Sequence, residues 1–196
     1  MKIVPRTKTL AGMVLLAGGM CLAPAATAAD VAGVTVADHV SEGTQTLVLN
    51  GAGLRKRVVF NVYVAALYTT AKTEDAAAII NSTQPRRLQL TLLRDIGSDS
   101  LLQALNDGLA DNTTPEEMAA LSTASDELKT IMTSVGQGLK GDTIELDFTA
   151  AGVAVTFKDK ALGQVKNPAF AAALLRVWLG DKPAQNSLKR ALLGQK

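Results

Sequence analysis

The chain has 196 residues, with 20 Lys and Arg against 18 Asp and Glu, one histidine and one cysteine. So even a balance of charge excludes the basic footprint of a nucleic-acid-binding domain. One histidine and one cysteine exclude a metal centre built on either ligand type, and no phosphate loop, dinucleotide fingerprint or serine elbow signals a cofactor or a nucleophile.

The amino terminus reads as a targeting segment. Lys2, Arg6 and Lys8 form a positive region without acids, residues 10–22 are apolar but too few to span a bilayer, and Ala26-Thr27-Ala28 places small residues at the cleavage-determining positions. A secretory signal peptide over residues 1–28 is expected, with cleavage after Ala28 and delivery to the periplasm or the medium. Cys21 leaves lipid attachment open, although Met20 before it is bulky where a small residue is usual. Losing three positive charges from a chain of net +2 leaves residues 29–196 at net −1, without any cysteine. That remainder forms one domain able to bury a core, and none of its segments is long and apolar enough to cross a membrane.

Alternation marks a strand over residues 31–37 and another over 45–50, ended by Asn50-Gly51 as a hairpin turn. Residues 57–70 are apolar on both faces, as in a central strand packed above and below. A short helix over 73–82, a strand over 86–94 and a helix over 98–110 follow. Thr114-Pro115-Glu116-Glu117 is a capping box opening one helix that closes at Gly136 and Gly138. Residues 143–149 and 152–158 read as a hairpin, residues 167–179 as a helix stopped by Gly180, and residues 184–193 as a last helix. The order implies an α+β fold, a mainly antiparallel sheet covered by helices.

Candidate chemistry is sparse. His39 stands beside Asp38 at a strand end and suits a surface role better than catalysis. Glu116 and Glu117 are explained by the capping box. Arg55 follows the glycine-rich Gly51-Ala52-Gly53, from which its guanidinium could reach back over the sheet or lie exposed beside Lys56 and Arg57. By alternation Asn61 and Tyr63 share one face of the central strand, and a buried Tyr63 hydroxyl must find a partner. Arg94 and Asp95 read as an internal ion pair or cap, and Trp178 as helix core.

Four segments together resemble the chalcone isomerase superfamily, most closely a bacterial, secreted chalcone-isomerase-like branch. They are Asn50-Gly-Ala-Gly-Leu-Arg55, Val62-Tyr-Val-Ala-Ala-Leu-Tyr68, Leu93-Arg-Asp-Ile96, and the run from Asn167-Pro168 through Trp178-Leu-Gly180 to Leu188-Lys-Arg-Ala-Leu-Leu-Gly194. The resemblance implies an open-faced β-sandwich with a ligand cleft between sheet and helices. In the plant enzymes that cyclise chalcones, an arginine steers the phenolate, and it aligns with Arg55. Their strand threonine aligns with Tyr63, their helix tyrosine falls near Glu117, their lysine and asparagine near Ala120 and Ala124, and a late hydroxyl near Val177. No tyrosine follows Tyr68, so the enzyme's tyrosine has no counterpart here. The fatty-acid-binding relatives hold a carboxylate with the arginine and a strand tyrosine, which Arg55 and Tyr63 match.

The resemblance therefore implies a non-catalytic protein that takes a small amphipathic carboxylate, such as a fatty acid, at Arg55, Tyr63 and Asn61, with no cofactor. Two alternatives stay open. One is an isomerase of intramolecular-lyase type on another substrate, with Arg55 stabilising an oxyanion and Tyr63 as acid. The other is an envelope interaction module whose cleft is packed.

Overall fold

A computed structural model describes Met1 and residues 28–195, so the expected signal peptide falls almost wholly outside the described residues. Strands β1 (Ala28–Val31) and β2 (Val34–Ala37) form a hairpin of their own. One continuous strand is expected there, but Ala32 and Gly33 both take positive φ, 53° and 81°, and fold the segment in two.

The main sheet has seven strands. In chain order they are β3 (His39–Glu42), β4 (Gln45–Arg57), β5 (Phe60–Thr69), β6 (Arg86–Leu92), β9 (Thr143–Thr149), β10 (Gly152–Phe157) and β11 (Lys160–Val165), while β7 (Ile96–Gly97) and β8 (Gln137–Gly138) pair separately. The spatial order is β11-β10-β9-β6-β5-β4-β3, antiparallel throughout. Strand β5 is thus internal, which explains why it is apolar on both faces. Tyr63, Ala65 and Leu67 face the helices, whereas Val64, Ala66 and Tyr68 face a smaller core shared with Val36 of β2. Edge strand β11 carries no strong sequence pattern. Its turn uses Lys158 and Asp159 at φ 52° and 61° in place of the glycine such a turn usually signals.

The expected hairpin at Asn50-Gly51 is not there. Strand β4 runs straight through it with one bulge, the register stepping from Leu49↔Tyr68 to Gly51↔Leu67. The turn comes at Val58-Val59, with Val58 at φ 56°. For a β-branched residue that region costs about 1–2 kcal/mol. The glycines of β4 serve close packing. A Cβ on Gly51 would lie 2.1 Å from the Ala191 carbonyl, and one on Gly53 2.6 Å from the Ala191 Cβ. Both contacts are made by helix α6 (Asn186–Leu192), and Asn50 clamps the same helix by donating to the Leu192 carbonyl at 2.8 Å.

Helices α1 (Ala76–Asn81), α2 (Ser98–Asp111), α3 (Pro115–Ala120), α4 (Ser122–Thr133) and α5 (Pro168–Leu179) cover one face of the sheet. The single helix expected after Thr114 is two, broken at Leu121, where Ser122 and Thr123 weaken helical continuity. The Thr114 cap holds, its hydroxyl accepting from the Glu117 amide. Helix α5 is apolar nearly all round because it is buried nearly all round, and Asn167 caps it by accepting from the Phe170 amide at 3.0 Å. The architecture is α+β, a large antiparallel sheet covered by helices, as the sequence implies.

Candidate functional site

Between the helix-facing side of the sheet and helices α2, α4 and α5 lies an open cavity of about 890 Å³. This is within the size range of small-molecule sites, roughly 300–1,000 Å³. Its depth is apolar: Leu90, Ile144 and Leu146 from the sheet, Leu101 and Leu105 from α2, Met132 from α4. Each reaches the cavity for the reason it is in the core, because its strand or helix alternation turns it toward the same layer.

Arg55 and Tyr63 are cross-strand partners on β4 and β5, and both line the cavity. Trp178, from α5, lines it too and donates its indole N–H to the Tyr63 oxygen at 2.9 Å in a buried bond. An indole can only donate, so the phenol oxygen is the acceptor and its proton is left to donate elsewhere. Among the described residues no protein acceptor takes it. Burial pushes the Tyr63 pKa up from its ordinary value, against smaller opposing effects of the Trp178 hydrogen bond and the nearby Arg55 charge. The phenol is therefore neutral and a proton donor throughout the physiological range.

Arg55 is half-buried, and its Nη1 donates to the Lys56 carbonyl at 2.9 Å and to Gln185 Oε1 at 3.3 Å. Gln185 in turn accepts from the Lys56 amide at 2.8 Å and donates to the Leu54 carbonyl. One edge of the guanidinium is thus braced by the end of β4 and by the residue before α6. Gln185 carries no sequence signal for this role. For Trp178 the one signal is that a buried Tyr63 hydroxyl needs a partner; nothing in the sequence names Trp178, read there as helix core, as that partner.

Asn61 is exposed and outside the cavity lining. Alternation puts it on Tyr63's face, but the register steps from Arg55↔Tyr63 to Lys56↔Asn61, leaving Val62 as a bulge. The extra residue breaks the parity, so Val62 and Tyr63 both line the cavity and Asn61 does not. Arg94 and Asp95 form no ion pair with each other. The Arg94 guanidinium lies 4.9 Å from the centroid of the Phe60 ring, and Asp95 accepts from the Lys140 amide at 2.8 Å. Both stand at the cavity mouth, with Arg57, Val58 and Lys182. His39 is exposed on edge strand β3, and Glu117 pairs with Arg176.

The arrangement offers one fixed cation, one neutral phenolic donor and an apolar chamber behind them. Such a set binds an anion attached to an apolar body, or stabilises negative charge developing on a bound oxygen.

No sequence among the curated proteins matches the chain. Among solved structures, that of an Arabidopsis thaliana fatty-acid binding protein superposes with a TM-score of 0.66 at 12% identity, covering 82% of this chain and 92% of the other. Residues 28–194 match the family described as chalcone isomerase-like, which is most of the chain. The chain therefore belongs to the chalcone isomerase-like family.

Proposed function

We propose that this is a non-catalytic, ligand-binding member of its family that holds a small amphipathic carboxylate of the fatty-acid type, with the carboxylate on Arg55 and Tyr63 and the alkyl body among Leu90, Leu105, Met132, Ile144 and Leu146. The observation that carries it is the Tyr63 phenol, fixed by Trp178 with its proton unclaimed beside the Arg55 guanidinium at one end of an apolar cavity. A guanidinium and a phenol together supply charge-assisted donors in a site poor in water, while burial of an alkyl chain contributes about 25 cal/mol per Å². The fatty-acid binding protein of like fold supports the choice of ligand class.

Catalysis of the chalcone type is disfavoured by what stands at the aligned positions. Val177 lines the cavity without a hydroxyl, and Glu117 is engaged by Arg176. Export to the periplasm, as in a bacterial secreted branch, belongs to the same proposal. Its support is the leader-like composition of residues 1–28 and a family match that begins at residue 28.

The test is native mass spectrometry of protein purified gently from its source, followed by titration of the delipidated protein. Retained masses in the fatty-acid range that disappear on denaturation are expected, and Arg55→Ala should lose them while staying folded. Equal retention by Arg55→Ala would remove Arg55 from the site, and turnover of an enone panel above buffer would restore the isomerase reading.

A further inference from the structure

The turn between β4 and β5 is the most apolar exposed feature among the described residues. Val58 is 90% exposed, Val59 79% and Phe60 58%. Val58 also occupies the left-handed region, at φ 56°, where asparagine or glycine is the ordinary choice. Neither backbone preference nor solvation by water favours Val58 and Val59 at this tip, as is usual of a patch that meets a partner.

The surroundings indicate its nature. Arg55, Lys56 and Arg57 lead into the tip, and the Arg94 guanidinium stacks on Phe60 at 4.9 Å. These cations are concentrated locally, because residues 29–196 together carry a net charge of −1. Arg57, Val58, Phe60 and Arg94 also line the mouth of the cavity. Across the mouth, α2 contributes Asp99, Asp107 and Asp111. The β4–β5 side of the mouth is thus basic and apolar apart from Asp95, which accepts from the Lys140 amide, and an anionic surface would be met on that side.

We propose that the Val58-Val59-Phe60 tip docks the protein on an anionic lipid bilayer, its apolar side chains entering the interface and Lys56, Arg57 and Arg94 meeting phosphates. Apolar insertion combined with basic flanks is the usual chemistry of reversible interfacial binding. Docking would place the cavity mouth against lipid, where an amphipathic carboxylate partitions. That use of docking rests on the ligand reading above, whereas the docking itself does not.

The test is co-sedimentation of the purified protein with vesicles of phosphatidylcholine, or of phosphatidylcholine mixed with phosphatidylglycerol, at low and high salt. Binding to the anionic vesicles that weakens in high salt is expected. Val59→Asp should reduce it by on the order of tenfold, and Lys56→Ser should lower both the affinity and its sensitivity to salt. Val59→Trp should shift its emission to the blue on anionic vesicles alone. The proposal is overturned if neither vesicle is bound, if Val59→Asp sediments like the parent, or if the Val59→Trp emission does not move. A dimer that Val59→Asp dissociates, without vesicle binding, would assign the tip to a second copy of the chain instead. Val59 lies outside the cavity lining, so Val59→Asp should keep fatty-acid binding in solution, whereas Tyr63→Phe should lose affinity for the acid and still sediment. The two readings can therefore fail separately.

Discussion

Trp178 donates to the Tyr63 oxygen at 2.9 Å, and this one bond sets what Tyr63 can do. With its oxygen engaged by a donor that cannot accept, the phenol presents its proton to the cavity beside Arg55. Helix α5 and strand β5 are 115 residues apart at this contact, so the donor geometry of the site is a product of the packed core.

Tyr63→Phe should act twice. It removes one ligand donor and leaves the buried Trp178 N–H unpaired, which costs roughly 1–3 kcal/mol. Affinity for a fatty acid should fall about tenfold, together with a measurable loss in denaturant midpoint. Trp178→Phe should lower stability through the same bond, and its effect on ligand affinity should be smaller because both ligand donors remain. If Tyr63→Phe binds as well as the parent, the phenol faces no ligand.

Arg55→Ala should lower affinity by about 1.5–3 kcal/mol, the worth of a hydrogen bond to a charged group, or roughly 10- to 150-fold. The side chain is only half-buried, so the unfolding midpoint should barely change. Arg55→Lys should recover only part of the loss, because a lysine offers charge without the planar fork. Full recovery by lysine would show that charge alone matters at this position.

Gly51→Ala should be severely destabilising, since its Cβ would meet the backbone carbonyls of Ala191 and Leu192 at 2.1 and 2.8 Å, where no flexible side chain can give way. A loss of about 3 kcal/mol or more is expected, equivalent to a fall in Tm of roughly 6–12 °C. Gly97→Ala is the steric control, with nothing within 4 Å of its Cβ and no positive φ, and should cost only the smaller penalty of alanine at the N-cap of α2, about 0.5–1 kcal/mol. Val58→Asn should go the other way and raise stability by about 1 kcal/mol through relief of the left-handed backbone. Thermal scans of the three variants check all of this.

The Asn50-Gly51 case shows where local signals end. An Asn-Gly pair between apolar runs is a strong turn signal, yet these glycines exist because α6, some 140 residues later, needs bare backbone to lie against β4. The real turn falls inside the run 57–70 that reads as one strand, with Val58 in place of the glycine or asparagine that would signal it. Core strands and helices with clean periodicity, such as β6, α2 and α5, were legible because period and burial agree. Arg55 and Tyr63 were legible as a pair through the family resemblance. Asn61 was misplaced by a single bulge at Val62, which no periodicity reveals, and Gln185 is invisible without the tertiary contact.

The chain has two tyrosines, and both are buried with raised pKa values, Tyr68 to about 12, chiefly through burial. A phenol raised in the folded state contributes stability that is fully present below the unfolded pKa, about 10, and is lost as pH rises through the folded value. Stability should therefore hold on this account up to about pH 10 and fall above it. Phenolate absorbance should rise together with unfolding rather than before it. A native-state titration of one tyrosine near its ordinary pKa that Tyr63→Phe abolishes would show that Tyr63 is open to water.

The most direct test of the carboxylate site compares a long-chain fatty acid with its methyl ester in calorimetric titrations of the delipidated protein. The two share the alkyl body and differ in the anion that Arg55 and Tyr63 are placed to hold. The acid should bind on the order of 10- to 100-fold more tightly, and the preference should collapse in the Arg55→Ala, Tyr63→Phe double variant. Equal affinity for acid and ester would contradict the account, leaving an apolar cavity whose arginine and tyrosine do not select its ligand.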